Sequence, residues 1–363
     1  MREGKIALAY GARSMPAAAK IVLTLIAGGL GGLLAFWVQL PLAWMIGSML
    51  AVTLLAVSGA KVRASFTLRG AMIAILGVML GSGFTPAMLS QLPLWSISLA
   101  GLLPYTAISV LVGYIYFRRC FGYDPATCYF AAVPGGLSEM VVMGGLSGGD
   151  QRVIALTHAS RVLLVVMILP FGFQALQGYE AGAASAPGEP LLDIPVLDLL
   201  WLGGCAVVGI PLAKLLRLPA AQLIGPMLLS SAVHLAGLTS AAPPYELVAA
   251  AQVVIGSAVG TRFAGTSLRF LARALLGAAG LSLLLLAVTL VFAFLLTLPT
   301  GLSLEPLILA YAPGGLAEMS LIALALGLDA AFVATHHSVR IVLIVIGAPQ
   351  AYRWLRIKRR SER

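Results

Sequence analysis

Ten stretches of this sequence, near residues 17–37, 42–58, 68–84, 94–117, 153–176, 196–212, 223–238, 247–264, 274–297 and 331–352, are apolar for long enough to cross a lipid bilayer or nearly so. Inside hydrocarbon every backbone N–H and C=O must find an internal partner, and a helix supplies those partners within one segment. The runs therefore predict an all-α polytopic membrane protein. Composition agrees: 60% of the 363 residues are hydrophobic and 10% charged, a balance foreign to soluble globules. The formal charge of +10 raises the question of a nucleic-acid partner. The basic residues, however, sit in short loops and tails beside apolar runs, so membrane topology accounts for them and no direct nucleic-acid binding is expected. The basic N-terminus leads into a long apolar run without a cleavage pattern, which reads as a retained first span. Cys120, Cys128 and Cys205 have neither disulfide-frame nor zinc spacing.

Two further apolar runs, 125–147 and 306–327, are each interrupted by Pro-Gly-Gly, in VPGGLSEMV at 133–141 and APGGLAEMS at 312–320. Proline lacks an N–H and obstructs the preceding turn, and two glycines open backbone angles that other residues avoid. Each motif should end one half-helix and begin another. Lysine and arginine set the threading, because short loops rich in them stay cytoplasmic. If the broken runs enter and return to the same side, 21 of the 23 Lys and Arg residues fall on the cytoplasmic side, with both termini. Only Arg161 and Arg340 then lie within spans. Full crossings would instead strand the basic loops of the second half outside.

Five spans per half is an odd number, so the halves run in opposite directions. The expectation is two inverted-topology repeats of about five spans, each with a Pro-Gly-Gly-broken re-entrant segment. Residues 1–177 make the first membrane repeat, 178–195 an extracytoplasmic linker, and 196–363 the second membrane repeat with a basic cytoplasmic tail. The halves also read as copies. Residues 134–170 laid on 313–349 at a constant offset of 179 give 14 identities in 37 positions, among them Glu139/Glu318, Asp150/Asp329, His158/His337 and Arg161/Arg340. Weaker echoes pair LPLAWMIGSML (40–50) with LPAAQLIGPML (218–228), and GVMLGSGF (77–84) with GSAVGTRF (256–263).

Irregular backbone at membrane depth survives only where protein or water surrounds it, so the two breaks should meet near the midplane. The half-helices starting at Leu137 and Leu316 would present free N–H groups to an anion beside Gly135, Gly136, Gly314 and Gly315, or else the hairpins serve packing alone. Glu139 and Glu318 either exchange a proton or cation, or cap the half-helix that they open. His158 shares a helix face with Arg161, as His337 does with Arg340; the arginines need a partner, which is a glutamate or an anionic solute. These ten residues form the candidate solute-binding set. Asp150, Asp329, Asp124-Pro125 and Glu305-Pro306 read as helix starts. GGLGG at 28–32 reads as close helix packing, since no phosphate-loop context surrounds it. His234 stands alone, and four histidines so scattered offer no metal site.

The paired PGGLSEM and PGGLAEM, with His-x-x-Arg in the final span of each half, resemble across the whole chain the AbrB family of bacterial inner-membrane proteins, built from a duplicated hydrophobic unit. The resemblance implies a multi-pass protein of the bacterial inner (plasma) membrane. Members are often labelled ammonia monooxygenases or regulators of an alkylation-response gene. A copper monooxygenase would need a histidine cluster, and a transcription factor a soluble DNA-binding module; the sequence offers neither. No catalytic residue, cofactor or metal is expected, and any regulation would be indirect. The leading reading is a secondary transporter or permease for a small anionic or amphoteric solute, with proton coupling open. A membrane sensor is the alternative and a membrane monooxygenase the least supported. The expected partners are the lipid bilayer and the small-molecule solute, with a homo-oligomer left open.

Overall fold

A computed structural model describes residues 15–86, 92–177 and 188–361. Fourteen α-helices follow one another, with no strand among the described residues. The first seven are α1 (Ala17–Trp37), α2 (Ala43–Val57), α3 (Phe66–Ser82), α4 (Leu92–Tyr116), α5 (Pro125–Ala132), α6 (Leu137–Leu146) and α7 (Gln151–Gln177). The next seven are α8 (Val196–Leu215), α9 (Ala221–Leu235), α10 (Tyr245–Gly260), α11 (Leu268–Thr300), α12 (Leu304–Tyr311), α13 (Leu316–Ala325) and α14 (Ala330–Ser361). Six of them, α1, α4, α7, α8, α11 and α14, are long and apolar enough to cross a membrane, and the chain is a multi-pass membrane protein. The helices α2, α3, α9 and α10 have 15 to 17 residues. At 1.5 Å per residue that is about 24 Å, short of a hydrocarbon core of about 30 Å. Ten apolar runs thus resolve into six full-length helices and four short ones. Apolar side chains line the outside of the long helices, as Val22, Ile26, Leu30 and Leu34 do on α1 and Leu283, Leu290, Phe294 and Leu298 on α11; lipid suits such surfaces and water does not.

Local chemistry sets several helix starts. Asp124 Oδ1 accepts from Thr127 N (2.9 Å) with Pro125 at the first helical position of α5. Asp150 Oδ1 accepts from Arg152 N and Val153 N at the head of α7, and Asp329 Oδ1 from Phe332 N (2.9 Å) at the head of α14. Glu305 and Pro306 fall in the first turn of α12. Each Pro-Gly-Gly separates a half-helix of 8 residues from one of 10: α5 from α6, and α12 from α13.

Packing couples the two halves of the chain. α2 packs on α1 and α10, while α9 packs on α8 and α3. Small residues permit these approaches. A Cβ on Gly77 would lie 2.5 Å from the Leu223 carbonyl of α9, and one on Gly256 would lie 2.5 Å from the Met45 carbonyl of α2. Gly31, within GGLGG, meets the Gly47 backbone in the same way. The non-glycine residues with left-handed backbone are Gln39, Leu42, Arg217 and Ala220, among the described residues. They fall as two pairs 178 positions apart, in front of α2 and α9. Residues 178–187, most of the expected linker, lie outside the described residues. Its end rests on the start of α10, where Leu191 N donates to the Glu246 carboxylate (3.2 Å).

Candidate functional site

At the first break the chain leaves α5 through Val133 and re-enters a helix after Gly136; at the second it leaves α12 through Ala312 and re-enters after Gly315. Every helix end leaves unpartnered backbone groups, carbonyls where it stops and N–H groups where it starts; the ends of α5 and α12 and the start of α13 are buried here, and the start of α6 is more open. Arginine answers the carbonyls. Arg161 Nη1 donates to Val133 O (3.3 Å). Arg340 Nη1 donates to Ala312 O (2.8 Å) and Tyr311 O (3.3 Å), and its Nη2 to Gly314 O (3.0 Å). A cation at a helix C-terminus also meets the negative end of the helix dipole. Glutamate faces the other side of each break: the Glu139 and Glu318 carboxylates fold back so closely over Gly136 and Gly315 that a Cβ at either glycine would collide with them. There a carboxylate meets the positive end of α6 or α13.

The histidines orient the arginines. His158 Nε2 bonds Phe130 O (2.9 Å) and its Nδ1 bonds Arg161 Nη2 (3.1 Å); His337 Nε2 bonds Leu309 O (2.9 Å) and its Nδ1 bonds Arg340 Nη2 (2.8 Å). A carbonyl can only accept and a guanidinium can only donate, so both imidazoles are the neutral Nε2–H tautomer with neither nitrogen spare. Neither arginine takes a glutamate as its hydrogen-bond partner among the described residues. Sequence alone shows two opposite charges and cannot show that each is answered by a different end of a broken helix. Adjacent His336 turns the other way, bonding Ser98 Oγ (2.8 Å) and Phe332 O (2.9 Å). His234 lies between Ala241 O, 2.9 Å from its Nε2, and Ser230, whose carbonyl is 2.8 Å and hydroxyl 3.4 Å from its Nδ1, and no metal-holding cluster of His, Cys, Asp or Glu occurs among the described residues.

One cavity of about 330 Å3 gathers the breaks from both halves. Nine of the ten candidate residues line it: Gly135, Gly136, Glu139, His158, Arg161, Gly314, Gly315, Glu318 and Arg340. His337 lies behind, fully buried against Arg340. Arg69 at the start of α3, Arg262 after α10 and Gln222 in the first turn of α9 also line the cavity, and the spacing arguments did not single them out. A signal was present. Laid on the earlier stretches, Gln222 aligns with Trp44 and Arg262 with Gly83, so the paired segments differ in polarity at two residues that line the cavity.

The two sides of the cavity are not equivalent. Ser138 and Glu139 are exposed, whereas Glu318 is 9% accessible and Ala317 partly covered. The long helices show a matching difference. α11 lies along α7, while between α4 and α14 runs an apolar groove of about 1160 Å3, lined by Tyr114, Tyr129, Ile346 and Tyr352 among others.

A family model described as "Transition state regulatory protein AbrB" matches residues 44–356. A Bacillus subtilis (strain 168) protein named "Uncharacterized protein YhjN" is 27% identical over 356 residues, covering 90% of each chain. An Escherichia coli (strain K12) protein named "Putative regulator AbrB" is 30% identical over 324 residues, covering 88% of this chain and 91% of its own.

Proposed function

The chain belongs to the AbrB family, and from that premise together with the shared cavity we propose that it is a secondary transporter of a small, anionic or amphoteric solute. Its halves, residues 1–177 and 196–363, would be inverted-topology repeats joined by an extracytoplasmic linker at 178–195. α5–α6 and α12–α13 would be re-entrant hairpins that meet at mid-membrane, with both termini cytoplasmic. The observation that carries this reading is that backbone breaks from opposite halves line one cavity with two buried arginines. Broken helices are tolerated at membrane depth around such cavities, where their ends bind solutes and ions. Several repeated details support duplication: the paired left-handed residues, the paired glycine contacts and the matched His–Arg–carbonyl bonds. The difference in exposure between Glu139 and Glu318 fits one state of an alternating-access cycle, with the cavity reached past Arg69 and Arg262.

Purified protein in proteoliposomes, offered a panel of small carboxylates and amines with and without an imposed pH gradient, should carry a carboxylate in a saturable way that Arg161→Gln abolishes. The name of the Escherichia coli relative favours a second reading, a membrane sensor acting on expression indirectly. Absence of flux together with ligand-dependent recruitment of a soluble protein would replace the first reading with the second.

A further inference from the structure

Resting on the solute-site reading, we infer that the cavity is built for a small dianion with two separated anionic ends, the geometry of a short dicarboxylate. Four guanidinium groups, Arg69, Arg161, Arg262 and Arg340, line a space that also receives only two carboxylates, Glu139 and Glu318, among the described residues. Two positive charges are left without a protein counter-charge, and the N-terminal ends of α6 and α13 add to the same sign. A solute carrying two negative charges would balance the site; a monoanion would leave one desolvated cation unanswered.

The charges are also divided in space. Arg161 and Arg340 are each 2% accessible, whereas Arg69 and Arg262 are only partly covered, so the guanidiniums fall into a deep pair and a shallower pair on different helices. The first pair, from α7 and α14, is buried beside the breaks, and each member keeps its Nε–H unpartnered among the described residues while its other nitrogens hold carbonyls and histidine. A buried donor left unanswered costs about 1–3 kcal/mol, which an oxygen anion seated against it would repay. The second pair, on α3 and after α10, is half-buried at the rim, and Gln222 beside it supplies an amide. About 330 Å3 is room for a short organic dianion and more than a lone inorganic ion fills.

Equilibrium binding to the intact protein in nanodiscs tests this with succinate, butyrate and sulfate as probes. Succinate should bind at least about tenfold more tightly than butyrate, the worth of one charge-assisted contact. Arg69→Gln and Arg262→Gln should each bring the succinate-to-butyrate affinity ratio close to one, and a ratio that stays at the wild-type value in both folded variants would overturn the two-ended site. Equal affinity for succinate and butyrate, no binding of either, or sulfate competing as well as succinate would overturn the two-ended dianion. The wild-type comparison decides this even if a variant fails to fold. Failure is distinguishable from failure of the transport reading: tight succinate binding without flux removes transport and leaves this site, whereas flux of a monoanion or an amine with no dianion preference does the reverse.

Discussion

Arg340 donates to His337 Nδ1 at 2.8 Å, and the same arginine holds the carbonyls of Ala312 and Gly314, so a single buried side chain ties the last long helix to the end of α12 and to the second break itself. In the first half, among the described residues, Arg161 holds only Val133 O beyond its histidine. Stability should therefore be lost unequally. Arg340→Ala removes the donor to three carbonyls, Ala312 O, Tyr311 O and Gly314 O, at about 1.5–3 kcal/mol for a well-formed bond to a charged donor, and should cost about 3 kcal/mol or more. Arg161→Ala should cost roughly half as much. Denaturant unfolding in detergent micelles reads both, and equal losses would show that the additional carbonyl contacts carry no weight.

Glu139 is exposed and Glu318 is covered although their motifs are near-identical. With cysteine at either position, a membrane-impermeant maleimide on opened vesicles should modify residue 139 rapidly and residue 318 slowly. Conditions that favour the opposite state of the cycle should reverse the order. Equal, invariant rates would mean that the difference is static.

Helix contacts between the halves rest on glycines that cannot carry a side chain. Gly77→Ala and Gly256→Ala should each destabilise by about 1–3 kcal/mol, because the clashing partner is a backbone carbonyl that cannot swing away. Gly203→Ala in α8, where nothing lies within 4 Å of the added Cβ, should be neutral or stabilising by up to about 1 kcal/mol through helix propensity. Thermal unfolding of the three variants side by side checks the contrast.

Much of this was legible in the sequence because the determinants are local. Pro-Gly-Gly dictates where helices stop, Asp124, Asp150 and Asp329 cap the helices they precede, and a constant offset pairs residues that make equivalent bonds. The rest needed three dimensions. A sequence shows Arg340 and Glu318 as opposite charges in an apolar run, but not the free carbonyls and N–H groups that claim each of them separately. Arg69 and Arg262 read as loop charges because the rule that keeps lysine and arginine cytoplasmic says nothing of which cavity those loops rim. The unequal burial of Glu139 and Glu318 comes from what packs around each, which two near-identical motifs cannot encode.

Opposite orientation of the two halves is the claim on which the shared cavity depends, and single-cysteine labelling in intact cells tests it most directly. Leu192, 94% exposed at the end of the linker, and Lys214, exposed at the end of α8, are replaced one at a time by cysteine in a Cys120→Ser background, the other two cysteines being buried. The account predicts that an impermeant maleimide labels position 192 from outside and reaches position 214 only after the membrane is permeabilised. Labelling of position 192 from the cytosolic side alone would mean that both halves share one orientation, and would contradict it.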